Sequence, residues 1–383
     1  LGATPFFSIE RGKGDTEKAR QYMGNAFAML LISSVFITII GLLIKDKALF
    51  WCGASEETFP YANTYLTVCL LGSIFSMVSL GMNSFISAQG FPRIGMMTII
   101  IGAVSNLILD PIFIYVLGMG VLGAGIATVI SQFISAVWVI RFLTGPKAIL
   151  KLTISSMSLK GKLIVKILGL GTSEFVMRFT TCIVYIAINA SLFYYGGDLY
   201  VTVGTVINSL RDLLIQPISG FASGAQPFLS YNYGANHPER VHKGIKFTGT
   251  VCITLSILTS VILVAFPVPF IKLFNTDPAL IEAAIPALRV FFVLFGFLSF
   301  QMVGQYTFVG LGMSKQAIFF SLLRKVIILL PLMLILPRHM GVMGIFWAEP
   351  VSDAIGGLCC FMTMYFMVYR KLKRDSSQFI SSP

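Results

Sequence analysis

The feature that most constrains this chain is the recurrence of uncharged apolar stretches, many of them eighteen residues or longer, separated by short polar connections. A helix rises 1.5 Å per residue, so about twenty such residues cross the ~30 Å hydrocarbon core of a bilayer. No water is available there to satisfy backbone N–H and C=O groups, so continuous spans of this length must be helices. The two-residue alternation of a membrane β-barrel is absent. Only 11% of the 383 residues are charged, against about 25% in a soluble domain, too few to cover the chain with water-compatible surface. The fold class is therefore all-α: a polytopic membrane protein.

Ten full spans are read near residues 22–44, 61–86, 94–117, 121–143, 167–195, 199–223, 247–271, 283–310, 316–337 and 341–369, with Leu1 to Ser8 as the tail of an earlier one. Basic residues sort by side. One set of connections carries nineteen, including Arg11, Lys13, Arg93, Lys147, Lys166, Arg240, Lys243, Lys315, Arg370, Lys373 and Arg374; the alternate set carries four, Lys45, Lys47, Lys272 and Arg338. The positive-inside rule places the first set and the C-terminus in the cytoplasm. The net charge of +12 belongs to this asymmetry, and no nucleic-acid partner is expected. Six cysteines (Cys52, Cys69, Cys182, Cys252, Cys359, Cys360) show no metal-ligand spacing and read as packing residues. His237, His242 and His339 read as solvated residues of polar connections. No nucleophile, phosphate-loop or metal motif is present, so neither enzymatic activity nor an organic cofactor is expected.

The chain also repeats itself. At an offset of 222, GATPFFSIERGKGDTEKAR (2–20) aligns with GAQPFLSYNYGANHPERVH (224–242), with seven identities in nineteen positions, against about one or two by chance. Gly90 and Arg93 answer Gly312 and Lys315, and Gly120-Val121-Leu122-Gly123 answers Gly341-Val342-Met343-Gly344 one residue out of phase. Paired segments lie on the same side of the membrane, so the repeat is parallel and implies two lobes related by an axis along the membrane normal. The second copy opens with two helices from about residue 165; 165 − 222 is −57, so two helices are expected ahead of Leu1 and twelve spans in all. The expected division is an N-lobe at 1–143 lacking its first helix and most of its second, a cytoplasmic linker at 144–166, a C-lobe at 167–370 and a tail at 371–383. The linker's lysines suit anionic lipid headgroups.

The Gly-Ala-x-Pro-Phe…Gly signatures, Ser87-Ala88-Gln89-Gly90 followed by Pro92-Arg93, and the run Asn106-Leu107-Ile108-Leu109-Asp110-Pro111-Ile112-Phe113-Ile114 resemble the multidrug and toxic compound extrusion (MATE) family over the whole chain. The resemblance implies two six-helix lobes that rock around a central cavity, with influx of protons or sodium ions driving export of organic cations. It further implies that Asn106 and Asp110 belong to an N-lobe ion site together with Thr128, Na⁺ being the one metal such a site would hold. The expectation is a bacterial inner-membrane antiporter, monomeric, meeting lipophilic organic cations and membrane lipid. A lipid-linked saccharide or lipid flippase of related architecture is the rival; it would call for a strongly cationic cavity. A membrane-embedded enzyme would need catalytic spacing within spans, and a non-transporting receptor is disfavoured by the repeat.

Asn106 and Asp110 are four apart, on one helix face, and Pro111 removes a backbone donor just beyond them. Intramembrane acids are functional by default; the competing reading of Asp110 is a helix-end cap. The repeat argues against a cap, because the matching positions are Ile328 and Leu332. In the C-lobe, Glu174 with Arg178, Arg211 with Asp212, Arg324 with Lys325, and Glu349 with Asp353 fall within spans, with Glu282 and Arg289 nearby. An unpaired charge at mid-bilayer costs about 2.5–3.5 kcal/mol, so these groups are expected to face inward and pair. They form either a polar network that holds the lobe and gates it, which is favoured, or a cavity wall for cationic substrate, with Glu174, Asp212 and Asp353 as its best candidates. The aromatic run from Phe291 to Phe308 reads as packing in preference to a cation–π wall.

Overall fold

In a computed structural model, which describes residues 2–51 and 54–372, every regular element is a helix. Leu1, Cys52, Lys373, Arg374 and the tail beyond Leu372 lie outside those residues. The described chain forms two compact units, Ala3–Ile167 and Leu168 onward. The first holds α1 (Thr4–Gly12), α2 (Thr16–Trp51), α3 (Phe59–Leu71), α4 (Ser73–Ala88), α5 (Pro92–Pro111) with a π-helical turn at Ile112–Val116, and α6 (Gly120–Thr144). Across the boundary runs α7 (Gly161–Gly234), followed by α8 (Pro238–Ala265), α9 (Pro267–Lys272), α10 (Pro278–Val293), α11 (Gly296–Gly310) and α12 (Ser314–Leu322). A π-helical segment, Leu323–Leu329, leads into α13 (Leu330–Met340), and α14 (Val342–Met364) ends in a further π turn, Tyr365–Tyr369.

Seven helices or helical runs can cross a membrane by length and composition, and the bent pairs α3–α4 (53°) and α10–α11 (45°) supply two more. One of the seven, α7, is 74 residues long, about 110 Å at 1.5 Å per residue and far beyond one bilayer. It breaks at Gly197, whose φ of 65° and ψ of −167° fall outside any helix. Counting its two arms separately turns nine candidate spans into ten among the described residues. These apolar helices are not sealed in protein. Leu43, Leu80, Leu107, Tyr115 and Val165 are largely exposed, and contiguous apolar surface of this extent suits lipid, not water.

The 222-residue repeat is written into the backbone. Among the described residues, left-handed Gly14 (φ 82°), Gly90 (95°) and Gly120 (54°) answer Asn236 (56°), Gly312 (73°) and Gly341 (59°). Glycine adopts this region without a Cβ penalty, and asparagine is the side chain that tolerates it best. Bends recur too: Gly72, between α3 and α4, matches Leu294, between α10 and α11. So does an amide cross-link, because Asn83 Nδ2 donates to the Gly95 carbonyl at 3.1 Å and Gln305 Nε2 donates to the Ala317 carbonyl at 2.9 Å. The Gly-Ala-x-Pro-Phe signatures are themselves helical, since α1 runs to Gly12 and α7 to Gly234. Two of the three histidines also leave the connections assigned to them. His242 lies inside α8, stacked on Tyr369 with ring centroids 4.1 Å apart, and His339 sits in the last turn of α13. The first of these helices begins about two and a half turns ahead of its apolar span, and the second ends about one turn beyond its own.

The core of the first unit gathers Phe7, Tyr22, Met23, Met82, Phe85, Ile86 and Leu143, with Phe7 edge-on to Phe85 at 5.2 Å. The linker is strapped onto it. Ala148, Leu150 and Leu152 are buried while Lys147, Ile149 and Lys151 are exposed, an extended two-residue alternation. Gln89 exchanges two hydrogen bonds with the Leu150 backbone, at 2.9 and 3.2 Å. Fully buried Asn25 donates to the carbonyls of Gln21 and Ser158 at 2.9 Å and accepts from the Lys160 amide at 2.8 Å. Gly24 is needed beside it, because a Cβ there would fall 2.2 Å from the Ser156 carbonyl oxygen. Removing a buried side chain with several backbone partners leaves those groups unsatisfied, at about 1–3 kcal/mol. Asn25→Ala is therefore expected to lower the melting temperature in detergent and to expose the 145–160 strap to limited proteolysis; an unchanged proteolysis pattern would refute this role.

Candidate functional site

In the first unit the sequence-predicted pair is brought together on α5. Asn106 Nδ2 donates to Asp110 Oδ1 at 3.2 Å, and both residues are half-buried. Asp110 occupies the last full turn before Pro111, which has no N–H to give the Leu107 carbonyl. Directly beyond it the backbone changes to π-helical bonding, with the Leu117 amide reaching Ile112, five residues back, at 2.9 Å. Such π turns concentrate at functional sites because they loosen the carbonyl ladder. Thr128 lies half-buried on α6, and its hydroxyl donates to Ala124 of its own helix at 2.9 Å. Among the described residues no hydrogen bond joins Thr128 to Asn106 or Asp110. Asp110 has no ion pair among those residues.

The second unit is built differently at its centre. Arg211 on the second arm of α7 donates through Nη2 to Glu349 Oε1 of α14 at 2.9 Å, and Lys325 Nζ reaches the same oxygen at 3.0 Å. Arg324, the neighbour of Lys325 in the π segment, pairs with Asp353, one turn beyond Glu349. All five side chains are buried. The Ser352 hydroxyl donates to the Arg324 carbonyl at 2.7 Å, tying the π segment's backbone to α14. At the rim, Asp212 lies 3.6 Å from Arg211 with 57% of its side chain exposed. The Tyr185 hydroxyl donates to both Asp212 oxygens, at 3.0 and 3.2 Å, and accepts from Arg211 Nη1 at 3.3 Å. Three cations thus face three carboxylates across α7, the π segment and α14. Glu349 also lines a narrow crevice with Asn208, Phe291, Met333 and Phe346.

The expectation that all the in-span charges pair needs correction. Glu174 and Arg178 form no ion pair among the described residues; Glu174 is half-buried, Arg178 is exposed, and both lie within electrostatic reach of Tyr306. Glu282 and Arg289 are exposed, with Arg289 Nε donating to the Val264 carbonyl at 3.3 Å. A four-residue spacing puts side chains on one face but does not close the gap between them. Phe292, Phe295 and Phe308 are buried in the lobe, with Phe308 stacked on Phe320 at 5.7 Å, so this run packs the core. Sequence reasoning missed Asn25, Gln89, Tyr185 and the Asn83/Gln305 pair. Only the last carried a legible signal, amide matched to amide at the repeat offset. Among the described residues no three His, Cys, Asp or Glu side chains cluster to hold a metal ion.

A family model described as MatE matches residues 1–112 and 175–335. The chain belongs to the MatE family. The multidrug export protein MepA of Staphylococcus aureus is 24% identical to this MatE chain over 387 residues, covering 99% of it and 83% of MepA. A crystal structure of MATE in the bent conformation superposes with a TM-score of 0.92 at 22% identity, covering 98% of this chain and 84% of that one. An outward-facing multidrug resistance MATE family transporter gives 0.91 at 22% identity, with coverages of 97% and 84%. The all-α, multi-pass fold of this MatE protein is thus that of a transporter and not of an enzyme.

Breaking a buried ion pair strands its partner at about 3–5 kcal/mol, whereas replacing both partners by apolar groups is often neutral. Asp353→Leu is expected to destabilise the protein by about that amount in thermal or denaturant unfolding. Arg324→Met with Asp353→Leu should recover most of the loss, and a double variant no better than the single would contradict pairing as the network's contribution.

Proposed function

We propose that this MatE protein is an antiporter of the bacterial inner membrane, with its basic connections and C-terminus in the cytoplasm, that couples inward flow of protons or sodium ions to export of hydrophobic organic cations. The observation that carries the reading is the Asn106–Asp110 pair, a half-buried carboxylate without an ion pair on a candidate transmembrane helix, beside a proline and a π turn. Glu349 and Asp353, by contrast, are held by buried cations. Asp110 acts as the proton or sodium carrier. Asn106 contributes its amide oxygen after turning its NH₂ away, and Thr128 contributes its hydroxyl oxygen. Charge on Asp110 biases the lobes between access states, and the membrane potential adds about 2.3 kcal/mol per charge per 100 mV. In the second unit, exposed Asp212 and half-buried Glu174 are the acids available to a cationic substrate. The protein works as a monomer. Similarity to a multidrug export protein supports the substrate class.

One observation favours a second reading. The buried C-lobe cations Arg211, Arg324 and Lys325 outnumber the buried acids Glu349 and Asp353, the sign a flippase for an anionic lipid-linked substrate would need. Efflux of a fluorescent lipophilic cation from proteoliposomes, under proton and sodium gradients imposed separately, decides between them. The expected result is gradient-driven efflux that falls at least about tenfold in Asp110→Asn, about 1.4 kcal/mol of coupling, with partial retention in Asp110→Glu. Folded protein with no efflux under either gradient would sink the antiporter reading and promote the flippase.

A further inference from the structure

Between the second arm of α7 and the first two-thirds of α8 lies an apolar groove of about 1020 Å³, open along one side. Its walls are Phe221 and Phe228 of α7 and Phe247 and Leu255 of α8, and the three phenylalanines are substantially exposed. Its floor is made by what is missing. A Cβ built on Gly220 or Gly224 meets nothing within 4 Å, whereas one on Gly244 would fall 2.7 Å from the Phe228 ring. The first two glycines therefore leave space that a side chain could fill, while the third lets the helices close beneath it. Gly224 and Phe228 belong to the Gly-Ala-x-Pro-Phe signature, which the transport reading leaves without a role.

Length and charge identify the occupant. From Lys243 to Leu255 the groove follows twelve residues of α8, about 18 Å, close to the ~15 Å depth of one hydrocarbon leaflet. Lys243 is the one charged residue lining it among the described residues. Exposed Arg240 and Lys246 flank Lys243 against a lone acid, Glu239, and none of these side chains forms an ion pair among the described residues. A lipophilic cation would meet like charge at this end, whereas a phosphodiester would meet its counter-ion. We propose that the groove binds an anionic phospholipid of the cytoplasmic leaflet, its acyl chain between Phe221, Phe228 and Phe247 and its phosphate held by Lys243. No residue of the buried ion network lines the groove.

Native mass spectrometry of the delipidated full chain, titrated with phosphatidylglycerol or phosphatidylcholine, tests this. Wild type is expected to retain phosphatidylglycerol about fivefold more strongly, the equivalent of ~1 kcal/mol per basic residue at a membrane surface. Lys243→Gln should bring the two lipids close to parity. Gly220→Leu with Gly224→Leu, which fills the floor and favours helix, should lower retention of both. Equal retention of the two lipids by wild type, or unchanged phosphatidylglycerol retention in the filled variant, overturns the proposal. Displacement of the lipid by a lipophilic cation in wild type only would also overturn it, making the groove a drug site. Loss of efflux with lipid retention intact would bear on the antiporter reading alone.

Discussion

The interior of a bilayer offers no hydrogen-bonding partner, and this constraint organises every level of the protein. It requires backbone groups to pair within each span, so the chain can cross only as helix. It also makes each departure from α-helical bonding conspicuous. Among the described residues those departures are few: the break at Gly197, the bends at Gly72 and Leu294, and π turns at Ile112–Val116, Leu323–Leu329 and Tyr365–Tyr369. Two of the π turns adjoin or contain chemistry-bearing side chains, Asp110 in one lobe and Arg324 with Lys325 in the other. The backbone is irregular where these charged side chains sit.

The same constraint explains how one repeated scaffold supports two kinds of centre. Left-handed residues, bends and an amide cross-link recur at the 222-residue offset, so each lobe solves its helix-packing problem in the same way. Charges do not recur. The first lobe keeps a carboxylate beside a neutral amide; at the matching positions the second has Ile328 and Leu332, and its charges converge from α7, the π segment and α14 instead. A lone acid in low dielectric responds to a proton or a cation, whereas acids locked against guanidinium and ammonium groups hold helices together. One lobe thus keeps an acid without an ion pair beside an amide, while the other locks its buried acids into a fixed pattern of charge.

Much of this was legible in the residues. Span number, the repeat and the Asn106–Asp110 face follow from hydropathy, offset and helical period, each a local property of the chain. Pairing in the second lobe was legible only as a requirement. That Glu349 is shared by Arg211 and Lys325, and that Asp212 stays at the rim under Tyr185, depends on how α7, α12–α13 and α14 rotate against one another. No spacing within a single helix encodes that rotation. The linker strap is the same case, since Asn25 and Ser158 are 133 residues apart.

The sequence by itself determined that this is an all-α membrane protein with a duplicated lobe, because transfer of apolar side chains and backbone satisfaction are additive along the chain. Tertiary structure alone decided which charges neutralise each other, which acids are left without an ion pair, and where glycines leave a groove open between α7 and α8. Those outcomes depend on distances of a few ångströms between helices far apart in sequence. Over such distances in a medium of low dielectric, electrostatics and packing change by several kcal/mol.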